Sequence, residues 1–158
     1  MGGLLFSSFA VAPTPEAQIA LQAANPVDAT LTFALVKAPA APPFDVILTY
    51  TVTGGLYGID AGIGTATGNI FVIENAFSGM TPTGGSGLLA AITATPGAPA
   101  DAWFTGGAVS PVYISKDIKV TTGEISDFSN SHHTPEPMSF VLMGTGLLGL
   151  GLIRRVRK

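Results

Sequence analysis

A period of two in the apolar residues, interrupted at short intervals by glycine and proline, constrains this chain more than any other feature. Within Asp45–Thr53, Val46, Leu48, Tyr50 and Val52 fall on one side, and Ile47, Thr49, Thr51 and Thr53 on the other. Successive side chains of a strand alternate in this way. Thr30–Leu35 repeats the pattern, with Leu31, Phe33 and Leu35 opposed to Thr30, Thr32 and Ala34. Val112–Thr122 carries it in Val112, Ile114, Ile118 and Val120. Asn69–Asn75 holds Ile70, Phe71, Val72 and Ile73 without alternation, which predicts a central strand covered on both faces. Leu88–Ala94, Ala102–Thr105 and Glu124–Phe128 are shorter candidates.

The breakers lie between these runs. Ala38–Pro43 reads as an extended loop, and Gly54-Gly55, Gly84-Gly85, Pro96–Pro99 and Gly106-Gly107 as turns. Thr122-Gly123-Glu124 suits a hairpin connection, and Glu16–Ala24 alone shows a weak helical period. Strands recurring every ten to fifteen residues or so predict an antiparallel sandwich. No fixed repeat points to a solenoid or propeller. The expectation is all-β: a single antiparallel β-sandwich-like domain over 25–128, a polar spacer over 129–134, then one C-terminal transmembrane helix.

Residues 1–134 contain Lys37, Lys116 and Lys119 against nine acidic residues, a net charge of about −6. Such a body has no basic patch for nucleic acid. Cysteine is absent, which excludes a disulfide framework and a thiolate metal site. A domain of this kind outside the cell is held by its core.

The chain closes with Pro135-Glu136-Pro137, an apolar run from Met138 to Ile153, and a cluster of Arg154, Arg155, Arg157 and Lys158. Only Ser139 and Thr145 are polar in the 16-residue run. As a helix it spans roughly 24 Å, short of a hydrocarbon core of about 30 Å, and the basic side chains can snorkel to extend it. Gly144, Gly146, Gly149 and Gly151 would each cost about 1 kcal/mol in a soluble helix but are better tolerated in lipid. The positive-inside bias places the basic end in the cytoplasm and the body across the membrane. Pro135 and Pro137 keep the preceding strip extended.

This tail resembles a PEP-CTERM sorting signal, the type read by exosortases in Gram-negative bacteria. Pro135-Glu136-Pro137 matches the motif, Met138–Ile153 the membrane segment, and Arg154–Lys158 the basic end. The resemblance covers about the last sixth of the chain. It implies export through the inner membrane, transient anchoring, cleavage near the motif by an exosortase-type membrane protease or transpeptidase, and release to the cell surface or a biofilm matrix. Residues 1–24 read as a remnant or weak signal peptide and leader. Gly2–Ala12 is apolar and ends in a small-x-small triplet, Ala10-Val11-Ala12, but no cation precedes it.

Chemistry-bearing motifs in the body are sparse. His132-His133 lacks further ligands at metal spacing and reads as solvated linker. Asp60–Gly68 is glycine-rich, without the lysine of a phosphate loop or the alternating acids of a calcium loop, and reads as a flexible loop. Ser78 and Ser86 sit in no nucleophile elbow. Asp45, Asp60, Glu74, Asp101 and Asp117 are dispersed in sequence. Trp103, beside Phe104, is a candidate for stacking on sugars. No catalytic residue, metal or cofactor is expected. The reading is an exported, non-enzymatic surface or matrix protein, with extracellular polysaccharide as a candidate partner. One alternative is a carbohydrate-binding module, which requires an exposed groove with Trp103 or Tyr57. Another is a secreted hydrolase, which requires two carboxylates about 5–10 Å apart in a cleft.

Overall fold

The computed structural model describes residues 4–13, 16–25, 29–81 and 84–134. Among them the chain forms β1 (Leu5–Ala12), β2 (Gln18–Asn25), β3 (Thr30–Lys37), β4 (Phe44–Thr53), β5 (Gly58–Ile63), β6 (Ala66–Thr67), β7 (Ile70–Thr81), β8 (Gly84–Ala94), β9 (Ala100–Trp103), β10 (Val112–Val120), β11 (Glu124–Ile125) and β12 (Asp127–His133). The first sheet has the order β1-β4-β10-β7-β8 and the second β2-β3-β12-β5-β9, with β6 and β11 paired separately. Every ladder is antiparallel. The fold is all-β and sandwich-like.

Alternation decides which face of each sheet is buried. Val46, Leu48, Tyr50 and Val52 of β4 and Val112, Ile114, Ile118 and Val120 of β10 enter one core. Leu31 and Phe33 of β3, Ile59 and Ala61 of β5, and Phe128 of β12 meet them from the second sheet. Phe33 and Phe128 stack with ring centroids 5.5 Å apart. Burying each such side chain contributes about 1.5–3 kcal/mol.

Several expectations are corrected. Glu16–Ala24 does not form a helix. Gln18–Asn25 is extended and pairs with β3, because a ladder partner outweighs a weak local preference. Residues 5–12 likewise form β1 on β4, so much of segment 1–24 is built into the two sheets. β7 lies between β10 and β8 but is not covered on both faces: Ile70, Val72, Glu74 and Ala76 are buried while Phe71 and Ile73 are partly exposed. Asp60–Gly68 is largely strand, not flexible loop, since β5 pairs with both β12 and β9.

The spacer 129–134 is also corrected. β12 continues through His133 as an interior strand between β3 and β5, so the domain reaches beyond 128. Its polar residues tolerate this because those turned inward find hydrogen-bond partners. Among the described residues no helix is long and apolar enough to cross a membrane. The expected span Met138–Ile153 lies outside the described residues.

Candidate functional site

The body presents two polar constellations, one on each face of the second sheet. Residues opposite one another in an antiparallel ladder share a face. Thr30, Ser131, Asp60 and Asp101 are successive cross-strand partners, and so form one outward row across β3, β12, β5 and β9. His133, Gly58 and Trp103 form the neighbouring row. A hollow of about 440 Å³ opens along this face, lined by Asp60, Gly62, Asp101, Ser129, Ser131 and His133 among others.

Backbone without side chains makes the hollow. A Cβ on Gly62 would approach Ser129 Oγ to 2.9 Å, and one on Gly58 would approach His133 Cδ2 to 2.8 Å. Gly58 therefore lets the His133 ring lie over β5, where it stacks on Trp103 with centroids 4.2 Å apart and planes 13° apart. Trp103 remains 60 % exposed, whereas Phe104 is buried. Tyr57 is partly buried at the same end, its N–H donating to the His133 carbonyl and its carbonyl accepting from Phe104 N–H. Asp60 Oδ1 accepts from the Ser131 N–H at 2.8 Å, and the Thr30 and Ser131 hydroxyls are 2.9 Å apart. Two carboxylates and two serines thus line one open trough, and the exposed indole stands beside it, stacked on His133.

The inward face holds the second constellation. Glu74 of β7 and Lys116 of β10 are direct ladder partners, and Asn130 and His132 of β12 face them from the opposite sheet; all four are buried. Lys116 Nζ is 2.7 Å from Glu74 Oε2. It also donates to Asn130 Oδ1 and, at 3.4 Å, to the Ser129 carbonyl. The Lys116–Glu74 contact has ion-pair distance without the angle of a directed hydrogen bond, so Oε2 is met by charge. Asn130 Nδ2 donates to Glu74 Oε1 at 2.9 Å and to His132 Nε2 at 3.1 Å. The Phe128 ring centroid is 5.6 Å from Nζ, within cation–π range.

His132 closes the network. Its Nδ1 is 2.8 Å from the Ala29 carbonyl, which can only accept, so Nδ1 carries the proton and Nε2 is the acceptor. Tyr50 Oη, 3.1 Å away, donates to Nε2. Burial lowers the His132 pKa to about 4, the Ala29 bond opposing. Burial likewise raises the Glu74 pKa, with Lys116 opposing, and holds the Tyr50 phenol well above its ordinary value. Each shift disfavours the charged form in a low-dielectric interior.

The structure thus separates the histidine pair. His132 is a core residue, not solvated linker, while His133 belongs to the outer trough. Asp60 and Asp101 are brought together; Glu74 is withdrawn into the core. Asp117 pairs instead with Lys119, at 3.3 Å. Ser78 donates to the Gly87 carbonyl on the β7–β8 hairpin, in the sheet that holds no histidine. Among the described residues no group of three His, Asp or Glu side chains could hold a metal ion. Pro135, Glu136 and Pro137, the span from Met138 to Ile153, and Arg154, Arg155, Arg157 and Lys158 lie outside the described residues. No model of a known protein family matches the sequence, and comparison with curated proteins finds no match.

Proposed function

We propose that this is an exported, non-enzymatic surface or extracellular-matrix protein, sorted and cleaved at its C-terminal tail by an exosortase-type membrane protease or transpeptidase. The observation that carries this reading is the fixed order of Pro135-Glu136-Pro137, an apolar run and a basic end. Met138–Ile153 crosses the inner membrane as a transient helix, because only a helix satisfies its own backbone in lipid. The anionic, cysteine-free sandwich then stands outside that membrane. Glu136→Ala tests the motif in the native host. Uncut chain should accumulate in the membrane fraction, and unchanged release would contradict the reading.

The outer trough favours a second, compatible reading, in which the body binds neutral carbohydrate. Sugars offer apolar ring faces to an indole and hydroxyls to carboxylates and serines, and Trp103, Asp60, Asp101 and Ser131 supply both kinds of group. Asp60 and Asp101 disfavour an acidic polysaccharide. Gel electrophoresis of the full chain in detergent, through a panel of soluble neutral polysaccharides, checks this. Retardation abolished by Trp103→Ala is the expected result. No retardation by any neutral polymer, or retardation indifferent to Trp103→Ala, would contradict it.

A further inference from the structure

The innermost polar groups are arranged as reactants. One carboxyl group touches two nitrogens: Glu74 Oε2 lies 2.7 Å from Lys116 Nζ, and Oε1 accepts from Asn130 Nδ2 at 2.9 Å. Lys116 Nζ also lies against Asn130 Oδ1, which shares its carbon with that same Nδ2. An amine, a carboxamide and a carboxyl group able to move a proton between their nitrogens are thus in mutual contact, in a core closed to water. We propose that Lys116 and Asn130 join through a self-catalysed isopeptide bond, with Glu74 carrying the proton from the attacking to the leaving nitrogen.

The step balances without any co-reactant. Transfer of one proton from Nζ to Oε2 turns the ion pair into an amine and a carboxylic acid. The Nζ lone pair attacks Cγ of Asn130, forming the Nζ–Cγ bond while the carbonyl pair moves onto Oδ1. Glu74 gives its proton to Nδ2 and takes one from Nζ. The carbonyl re-forms, the Cγ–Nδ2 bond breaks, and ammonia leaves. Nothing is oxidised or reduced, and Glu74 ends as the acid it was at the attack.

The surroundings favour each stage. Holding two ions out of water is costly even when they are paired, and burial raises the Glu74 pKa, which favours transfer of a proton to its carboxylate. An amine attacks an amide very slowly in water, but fixed proximity converts the encounter into an intramolecular one. Glu74 touches both exchanging nitrogens, the geometry that general acid–base catalysis requires. His132 is a positioning residue. With Nδ1 engaged by Ala29, its Nε2 accepts from Nδ2 and turns the amide oxygen toward Lys116. The product would tie β10 of the first sheet to β12 of the second, in a chain with no cysteine to do so.

Mass spectrometry tests this on the full chain, expressed without its host's processing enzyme and purified in detergent. The expected mass is one ammonia below the sequence mass. Trypsin should fail to cut after Lys116, and fragmentation should join the Lys116 and Asn130 peptides. Lys116→Met should restore the full mass for its sequence. Glu74→Gln should remain folded by circular dichroism yet stay uncrosslinked. A folded wild-type chain of full mass would overturn the proposal. So would an ammonia deficit that persists in Lys116→Met, since Asn130 would then have cyclised on its own backbone. A Glu74→Gln chain crosslinked as fast as wild type would overturn the role of Glu74.

Discussion

Single residues decide how this core responds to pH. His132 is held neutral, with its pKa lowered to about 4, against about 6.5 in an unfolded chain. The unfolded state therefore binds the extra proton between those values, so stability is fully present above about pH 6.5 and is lost as pH falls toward 4. A difference of this size amounts to at most about 3 kcal/mol. Chemical denaturation of wild type and His132→Gln at pH 7 and pH 4.5 checks it: the variant should lose less stability between the two than wild type. Tyr50→Phe removes the phenol donor to Nε2 and should cost about 1 kcal/mol. These roles were only partly legible in sequence. Lys116 interrupts the stripe Val112, Ile114, Ile118, Val120 at the position that must face inward. Glu74 does the same after Ile70 and Val72. A charge in an inward register is the signal that a buried pair would leave; attention to apolar residues alone passes over it.

At the scale of elements, the strands with clean alternation were readable because one face of each is buried. β4 and β10 are the clearest cases, and β3 follows them. β12 was not readable beyond Phe128, because Asn130 and His132 occupy inward positions that carry no hydrophobic signal and depend on partners as distant in sequence as Glu74 and Tyr50. β1 and β2 were obscured for another reason. An edge strand buries little on its own, and its state is set by the ladder it joins. The β5–β9–β12 ladder depends on a residue without a side chain at Gly58, where an added Cβ meets the Ala102 carbonyl and His133. Gly58→Val should therefore cost about 1–3 kcal/mol by overpacking. It should also displace the Trp103–His133 stack, seen as a shift in tryptophan fluorescence, whereas a surface change such as Lys119→Gln should leave both unchanged.

At the scale of the molecule, two sheets share one core without disulfides. An isopeptide bond would close a short loop, since Lys116 and Asn130 are 14 residues apart. By analogy with disulfide loops of about 15 residues, that constraint is worth about 3 kcal/mol. Its greater consequence is mechanical, because separating the sheets would require breaking a covalent bond. The trough on the outer face and the proposed processing of the tail concern a different link, from structure to location and partner. The pattern on which the proposed sorting rests is legible in sequence because run length, helix breakers and terminal charge are local properties. The trough is not, since Trp103, Asp60 and His133 meet only through the pairing of β9, β5 and β12. The most direct test of the whole is the C-terminal peptide of the mature protein, recovered from the surface of its native host and identified by mass spectrometry. A chain that stops near Pro135 is the expected result; a surface form still ending at Lys158 would contradict it.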